Sequence, residues 1–288
     1  MHGERENLFN TVGIVSRTDR KDALGLAKKL VVHLRAKKLT VFLEPELAKL
    51  IQEESLATPL GKMYSDMLIT IGGDGTILRT CLGIPKPEPP ILAIDIGVRG
   101  FLTEVKPNKA IRAVDNCLRG KFKLERCMKL ASFVEGERLP DALNEVLISP
   151  DAPVKLLYAK IWIDKTPVAE CRADAVMVAS QVGSTGYSLT AGGPVLDPRM
   201  DAFVLTPICP LAVFHPMVFP ASSTVTIEVS KPQKTIVVVD GQMRKALETE
   251  KPSLTISKSE QQTTFIRFRR NFYRRLEARM LFYRGGRS

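Results

Sequence analysis

With 288 residues, 44% of them hydrophobic and 25% charged, the chain has room for about two domains with cores of their own. That composition excludes disordered and fibrous classes. The net charge of +11 is uneven, because eight arginines and one acid, Glu277, lie between Arg267 and the C-terminus. No helix-turn-helix, zinc or RNP-like pattern accompanies them. The expectation is a solvated basic tail, with a role around an anionic ligand behind it, and no nucleic-acid partner.

Met1 to Asn10 is polar and lacks the apolar stretch of a signal peptide. The stretch from Ala202 to Ile227 has no Asp, Glu, Lys or Arg, but Pro207, Pro210, Pro216 and Pro220 interrupt it. A membrane-crossing helix there is not expected. Five cysteines without a C-x-x-C pair, and three histidines without metal-like spacing, suggest neither a disulfide framework nor a protein-held metal. They fit a reducing, cytoplasmic setting.

The first hundred residues alternate strand and helix. Val12 to Ser16 reads as a short apolar strand. Asp22 to Leu39 carries apolar residues at 23, 26, 27, 30, 31 and 34, which is helical spacing, with Asp19 or Asp22 as the cap. Val41 to Leu43 is the next strand, Pro45 to Leu56 the next helix, and Met67 to Ile71 another buried strand. The chain then turns through Gly72-Gly73-Asp74-Gly75 into a helix ending near Leu82. After a proline-rich loop, Ile91 to Ile96 is again a strand. Such alternation predicts a doubly wound parallel sheet covered on both faces, with ligands beyond the carboxyl ends of its strands.

The Gly72–Gly75 turn sits at such an end. A strand feeding a helix through glycines aims backbone N–H groups and a helix N-terminus at one spot, which favours a phosphate. Gly72, Gly73, Gly75 and Thr76 are therefore candidate phosphate-binding residues. Asp74 is out of place beside phosphates unless it binds a metal or takes a proton from an attacking hydroxyl. A tight turn with no ligand remains an alternative reading of the motif.

After about Lys121 the rhythm becomes period two, as in the segments around Val225 to Val229, Leu254 to Ile256 and Phe265. A mostly antiparallel β domain is expected, with Asp240-Gly241 as a two-residue hairpin turn. The chain returns to helical spacing at its end, with Phe272, Leu276, Met280 and Tyr283 on one face. The expected domains are 1–110 with 268–288 returning to it, and 111–267. Within the second, Asn144 and Glu145 are adjacent polar residues in an apolar segment, which fits a strand end or a turn. An amide and a carboxylate there suit base edges and ribose hydroxyls. Arg172-Ala173-Asp174 precedes an apolar strand. Gly183 to Pro194 is dense in glycine and hydroxyl side chains and can offer N–H and O–H groups to a nucleotide; a flexible connector is the alternative.

Taken together, GGDGT after a buried strand, NEV, R-x-D and GSTGYSLTAGGP resemble the NAD kinase family in that family's order and over most of the chain. The resemblance implies an α/β N-terminal domain, a β-rich C-terminal domain and a last helix packing back on the first. It implies transfer of a terminal phosphoryl group from ATP or polyphosphate, with Mg²⁺ or another divalent cation, to the 2′-hydroxyl of NAD's adenosine ribose. By position, Asp74 resembles the base. Gly75 and Arg79 are similar to residues near the phosphates, Asn144 and Glu145 to the pair holding the adenosine, and Asp174 to the residue meeting the nicotinamide amide. Thr185, Gly186, Tyr187, Ser188, Leu189 and Thr190 resemble the adenine-binding loop, and Lys155, Arg172 and Gln242 further NAD contacts. The resemblance also suggests a homodimer or homotetramer. Val182, Gly186, Asp95 and Arg99 depart from the family's usual residues. Two competing classes are another GGDGT-type kinase acting on a lipid or sugar, and a non-catalytic dinucleotide-binding regulator.

Overall fold

The computed structural model describes residues 8–97, 100–152, 154–269 and 272–283. The chain divides into two compact units, Met1–Arg126 with Thr263–Ser288, and Cys127–Gln262. The boundaries therefore fall at 126/127 and 262/263, not at 110/111 and 267/268. The reason is helix α4 (Ala110–Leu118), whose Ala110, Ala113, Val114, Cys117 and Leu118 are buried in the first unit's core.

In the first unit, β1 (Thr11–Ser16), α1 (Lys21–Ala36), β2 (Thr40–Leu43), α2 (Pro45–Leu50), β3 (Met67–Gly72), α3 (Asp74–Gly83) and β4 (Ile91–Asp95) precede α4. The strands are parallel in the order β2-β1-β3-β4. Every residue of β3 and β4 is buried, as central parallel strands require. The six apolar positions read as a helical stripe in α1 are the six it buries. Its capping differs: Arg20 holds the N-cap position without a side-chain bond, Asp22 lies inside the first turn, and Asp19 pairs with Arg17. The expected helix 45–56 stops at Leu50, because Gln52 takes a left-handed φ of 61° and a single 3₁₀ turn follows at Glu54–Leu56. The sheet order reverses between β1 and β3, so Gly72–Gly75 lies at the carboxyl end of β3 beside the switch point.

β5 (Lys123–Val134) leads into the second unit, where β6 (Glu137–Arg138) turns back on it. There follow β7 (Glu145–Pro150), β8 (Leu157–Ile163), β9 (Thr166–Ala173), β10 (Ala175–Ala179), the four-residue α5 (Tyr187–Thr190), β11 (Ala202–Ile208) and β12 (Met217–Pro220). β13 (Val225–Val229), β14 (Thr235–Val239), β15 (Met243–Leu247) and β16 (Ser253–Arg267) complete it. One antiparallel sheet runs β12-β11-β10-β7-β14-β15, and antiparallel pairs also join β9-β8-β13-β16. The charge-free stretch from Ala202 forms β11, β12 and β13, and no helix among the described residues is long and apolar enough to cross a membrane. The turn at Asp240-Gly241 forms with φ of 52° and 63°. The ladder resumes only at Met243, so Gln242 makes the loop one residue longer than expected.

β16 crosses the unit boundary; its Phe265 pairs in parallel with Ile91 of β4 in the first unit. α6 (Phe272–Tyr283) belongs to that unit too. Met280, expected on its inner face, is 42% exposed, whereas Phe272, Arg275, Leu276 and Arg279 are half-buried. Arg267 is 6% exposed and binds Glu125 at 2.5 Å and the Leu102 carbonyl at 2.8 Å. These arginines are structural members of the first unit, which corrects the picture of a solvated tail. Arg99, Arg270, Arg284 and Arg287 lie outside the described residues, as does the N-terminal stretch before Leu8.

Candidate active site

β3 delivers Gly72 and Gly73 to the start of α3, where no side chain caps the helix. The glycines have different reasons. A Cβ on Gly72 would overlap the Thr76 hydroxyl, so the protein itself requires glycine there. Gly73 and Gly75 would meet nothing within 4 Å, and none of the three has a positive φ. Neither crowding nor a left-handed φ requires glycine at Gly73 and Gly75, and both open onto free space.

Asp74 is the first residue of α3, and its carboxylate is held by the chain after β4. The Phe101 and Leu102 N–H groups both donate to Oδ1 at 2.9 Å, and Phe101 also reaches Oδ2 at 3.1 Å. The Arg279 guanidinium of α6 lies 3.6 Å from Oδ2. Burial raises the Asp74 carboxyl above its ordinary value, and the repulsion of Asp95 adds to this; the two amides and Arg279 oppose it. Thr76 spends its N–H on the Gly73 carbonyl.

Asp95, where the family usually has asparagine, is 5% exposed. It accepts from the Gly97 N–H at 2.8 Å and pairs with Lys106 at 2.5 Å. The departure is thereby accounted for: a carboxylate plus a lysine closes this loop. Arg79 is engaged elsewhere, with both guanidinium ends on the Glu44 carboxylate at 2.6 and 2.8 Å. Glu44 therefore already neutralises the charge expected near the phosphates.

In the second unit, Asn144 and Glu145 stand at the start of β7, a strand end as expected. The residue that positions them is Asp240, 2% exposed. It accepts from the N–H groups of Leu143, Asn144 and Glu145 at 2.8, 2.7 and 3.1 Å, and its own N–H donates to the Glu145 carbonyl at 2.9 Å. Two buried carboxyls then lie side by side with unequal support. Burial pushes Asp240 up to about 6 against its three amides, and burial with the neighbouring Asp240 pushes Glu145 up to about 8. The three amides hold Asp240 the lower of the two, and the neighbouring Asp240 favours the protonated form of Glu145. Asn144 Oδ1, Glu145 Oε2 and Gln181 Oε1 are buried and find no hydrogen-bond partner among the described residues. Orphaned buried oxygens of this kind call for a ligand's donors or for water.

The loop after β10 is ordered, not a flexible connector. A 3₁₀ turn at Gly183–Thr185 leads into α5. A Cβ on Gly183 would overlap the Asn144 carbonyl, and one on Gly193 the Ser188 hydroxyl, so both glycines are needed for close packing. Most of the hydroxyls serve the loop itself. Ser184 donates to the Gln181 carbonyl at 2.7 Å, Thr185 to the Val182 carbonyl at 2.9 Å, and Ser188 pairs with Thr206 at 2.9 Å. Ser184, Thr185 and Ser188 are buried, with their hydroxyls engaged within the protein, whereas Tyr187 and Thr190 are exposed. Val182 is buried, 7% exposed, and its carbonyl accepts from the Thr185 hydroxyl. A Cβ on Gly186 would stand 3.5 Å from Asn144 Nδ2 and 3.6 Å from Glu145 Oε2.

Lys155, Arg172, Asp174 and Gln242 are exposed, and Leu189 is half-buried. The Arg172 carbonyl accepts from Leu211, the Asp174 N–H donates to the Ile208 carbonyl and the Gln242 N–H to the Val239 carbonyl. Asp240 and Arg279 escaped the sequence reading as site residues. Asp240 was legible only as a turn, because its register beside Glu145 depends on the β7–β14 pairing. No group of three or more His, Cys, Asp and Glu side chains that could hold a metal is gathered among the described residues.

Two family models match the chain: the ATP-NAD kinase N-terminal domain over residues 12–122, and the ATP-NAD kinase C-terminal domain over residues 143–268. The NAD kinase of Methanothermobacter thermautotrophicus is 36% identical over 273 residues, which cover 94% of this chain and 96% of that protein. The NAD kinase of Pyrococcus abyssi is 39% identical over 266 residues, covering 91% and 95%. A crystal structure of an NAD kinase from Archaeoglobus fulgidus in complex with ATP is similar with a TM-score of 0.76 at 28% identity, over 93% of this chain and 99% of that one. Yeast NADH kinase complexed with NADH shares the fold, with a TM-score of 0.88 at 22% identity over 99% and 90%.

Two outcomes follow from the geometry. Gly75→Ala replaces glycine near the start of α3 and should raise stability by up to about 1 kcal/mol. Its Cβ enters the open space, so ATP affinity should fall about tenfold; melts with and without ATP report both effects. Second, Glu145 is protonated in the folded chain and ionised in the unfolded one between its ordinary value and about 8. The unfolded state then binds fewer protons, so stability is full at low pH and is lost as pH rises through about 8. Glu145→Gln should remove that slope in thermal melts between about pH 4.5 and 8.

Proposed function

Since the chain belongs to the NAD kinase family and is an enzyme that phosphorylates NAD, we propose a division of labour among its residues. Asp74 is the general base. The 2′-hydroxyl of the adenosine ribose gives its proton to Asp74 Oδ2, the 2′-oxygen bonds to the terminal phosphorus of the donor, and the bond from that phosphorus to the bridging oxygen breaks. With ATP as donor the products are NADP and ADP. The carrying observation is a half-buried carboxylate, fixed by the Phe101 and Leu102 amides, between two glycines that open onto empty space.

Gly73 and Gly75 let phosphates approach the start of α3, whose N-terminal charge favours them. Asn144 and Glu145 take the adenosine, supported by their orphaned oxygens; burial and the neighbouring Asp240 favour the protonated form of Glu145, which can donate as well as accept. Lys155, Arg172, Asp174, Tyr187, Thr190 and Gln242 are further contacts for NAD, each of them exposed. ATP as donor is supported by the Archaeoglobus neighbour solved in complex with ATP. A divalent cation would travel on the donor's phosphates and neutralise their charge, since no protein-held metal cluster is gathered among the described residues. The five free cysteines support a reducing, cytoplasmic setting. Exposed Leu211, Val213 and Val218 support assembly into a dimer or tetramer.

Asp74→Asn keeps the shape and accepts the same two amide bonds on its carbonyl oxygen, but it cannot take a proton. General-base help is worth about 10²–10⁴ in rate. kcat should fall within that range, while NAD affinity changes by less than about tenfold, or 1.4 kcal/mol. Steady-state NADP formation and calorimetric NAD binding measure the two; turnover within a few-fold of wild type would remove Asp74 from the chemistry.

A further inference from the structure

The two oxygens of Asp74 are unequally served. Oδ1 has two amide donors at 2.9 Å, whereas Oδ2 has one longer bond at 3.1 Å and a guanidinium at 3.6 Å. At 3.6 Å Arg279 is beyond hydrogen-bond length. It therefore places a positive charge beside Oδ2 without occupying the lone pair that has to receive a proton.

Arg279 is itself held in place. Its guanidinium carbon lies 5.5 Å from the centre of the Phe101 ring, and that of Arg275 lies at the same distance. Phe272 meets the ring edge-on, with centroids 5.7 Å apart at 84°. Arg275 is also 4.0 Å from Glu104, whose carboxylate accepts from the Phe268 N–H at 2.8 Å. Phe101 thus does two things: its N–H anchors the carboxylate, and its ring seats the arginine that faces it. Among the described residues Asp95 also acts on Asp74, opposing its ionisation, and is itself paired with Lys106. Among them, the two amides and Arg279 are what favour the ionised carboxylate.

We propose that Arg279 of the C-terminal helix is a positioning residue for phosphoryl transfer, holding the Asp74 carboxylate ionised and its Oδ2 edge open to the acceptor hydroxyl. α6 is then part of the active centre as well as of the first unit's packing. The inference rests on Asp74 being the base.

The pH dependence of kcat tests it. Arg279→Gln should move the acid limb to higher pH by about one pH unit or more, the usual effect of an opposite charge at this distance. Arg279→Lys, which keeps the charge, should return the limb most of the way. In the Asp74→Asn background, Arg279→Gln should cost less than about twofold, since the two groups act as one unit. Arg279→Met, similar in length and in helix preference, takes the place of the glutamine variant if that one does not fold. An unmoved acid limb with kcat lowered equally at every pH would reduce Arg279 to a structural residue and overturn the proposal, as would additive losses in the double variant. If Asp74→Asn alone keeps near-normal turnover, the base assignment fails and the proposal fails with it. A slow Asp74→Asn with an unmoved limb in Arg279→Gln overturns the proposal only.

Discussion

A carboxylate taken out of water must find donors or keep its proton, and this constraint shapes both units. Asp74 draws the Phe101 and Leu102 amides to the start of α3. Asp95 draws in Gly97 and Lys106, and Asp240 collects three successive amides at the head of β7. Each carboxylate thereby fixes a loop that the hydrophobic core alone would leave loose. Glu145, beside Asp240 and without a partner on Oε2 among the described residues, takes the other route and keeps its proton.

Close packing sets the second constraint. Gly72, Gly183 and Gly193 are glycines because the protein's own atoms occupy the place of a Cβ. Gly73 and Gly75 are not crowded at all, which supports the proposal that phosphates approach the backbone there. In the loop from Ser180 to Gly193 the hydroxyls and glycines chiefly build the loop, and what they present is Asn144 and Glu145. For example, Ser180 ties β10 to Leu143 through its hydroxyl at 2.5 Å.

Local patterns were legible in the sequence. The stripe of α1, the buried runs of β3 and β4, the GGDG turn and the change of rhythm to antiparallel strands all follow from side-chain periods and glycine chemistry. What escaped the sequence depends on chain segments far apart. The pairing of Arg79 with Glu44, 35 residues earlier, could not be read from the motif around it. Asp240 reads as a turn until the register of β14 on β7 puts it under Asn144 and Glu145. On α6, hydropathy assigns arginines to water and Met280 to the core. For Arg275 and Arg279 the structure does the reverse: their guanidinium groups lie over Phe101 and near Glu104 and Asp74 while the methionine stays out.

The position of the phosphate on the product tests the central claim most directly. The chain, supplied with NAD, ATP and Mg²⁺, should yield a dinucleotide whose new phosphate sits on the 2′-oxygen of the adenosine ribose, as two-dimensional ³¹P–¹H NMR would show. A phosphate at the 3′-oxygen or on the nicotinamide ribose, or no phosphorylated dinucleotide at all, would contradict the placing of Asp74 beside the 2′-hydroxyl.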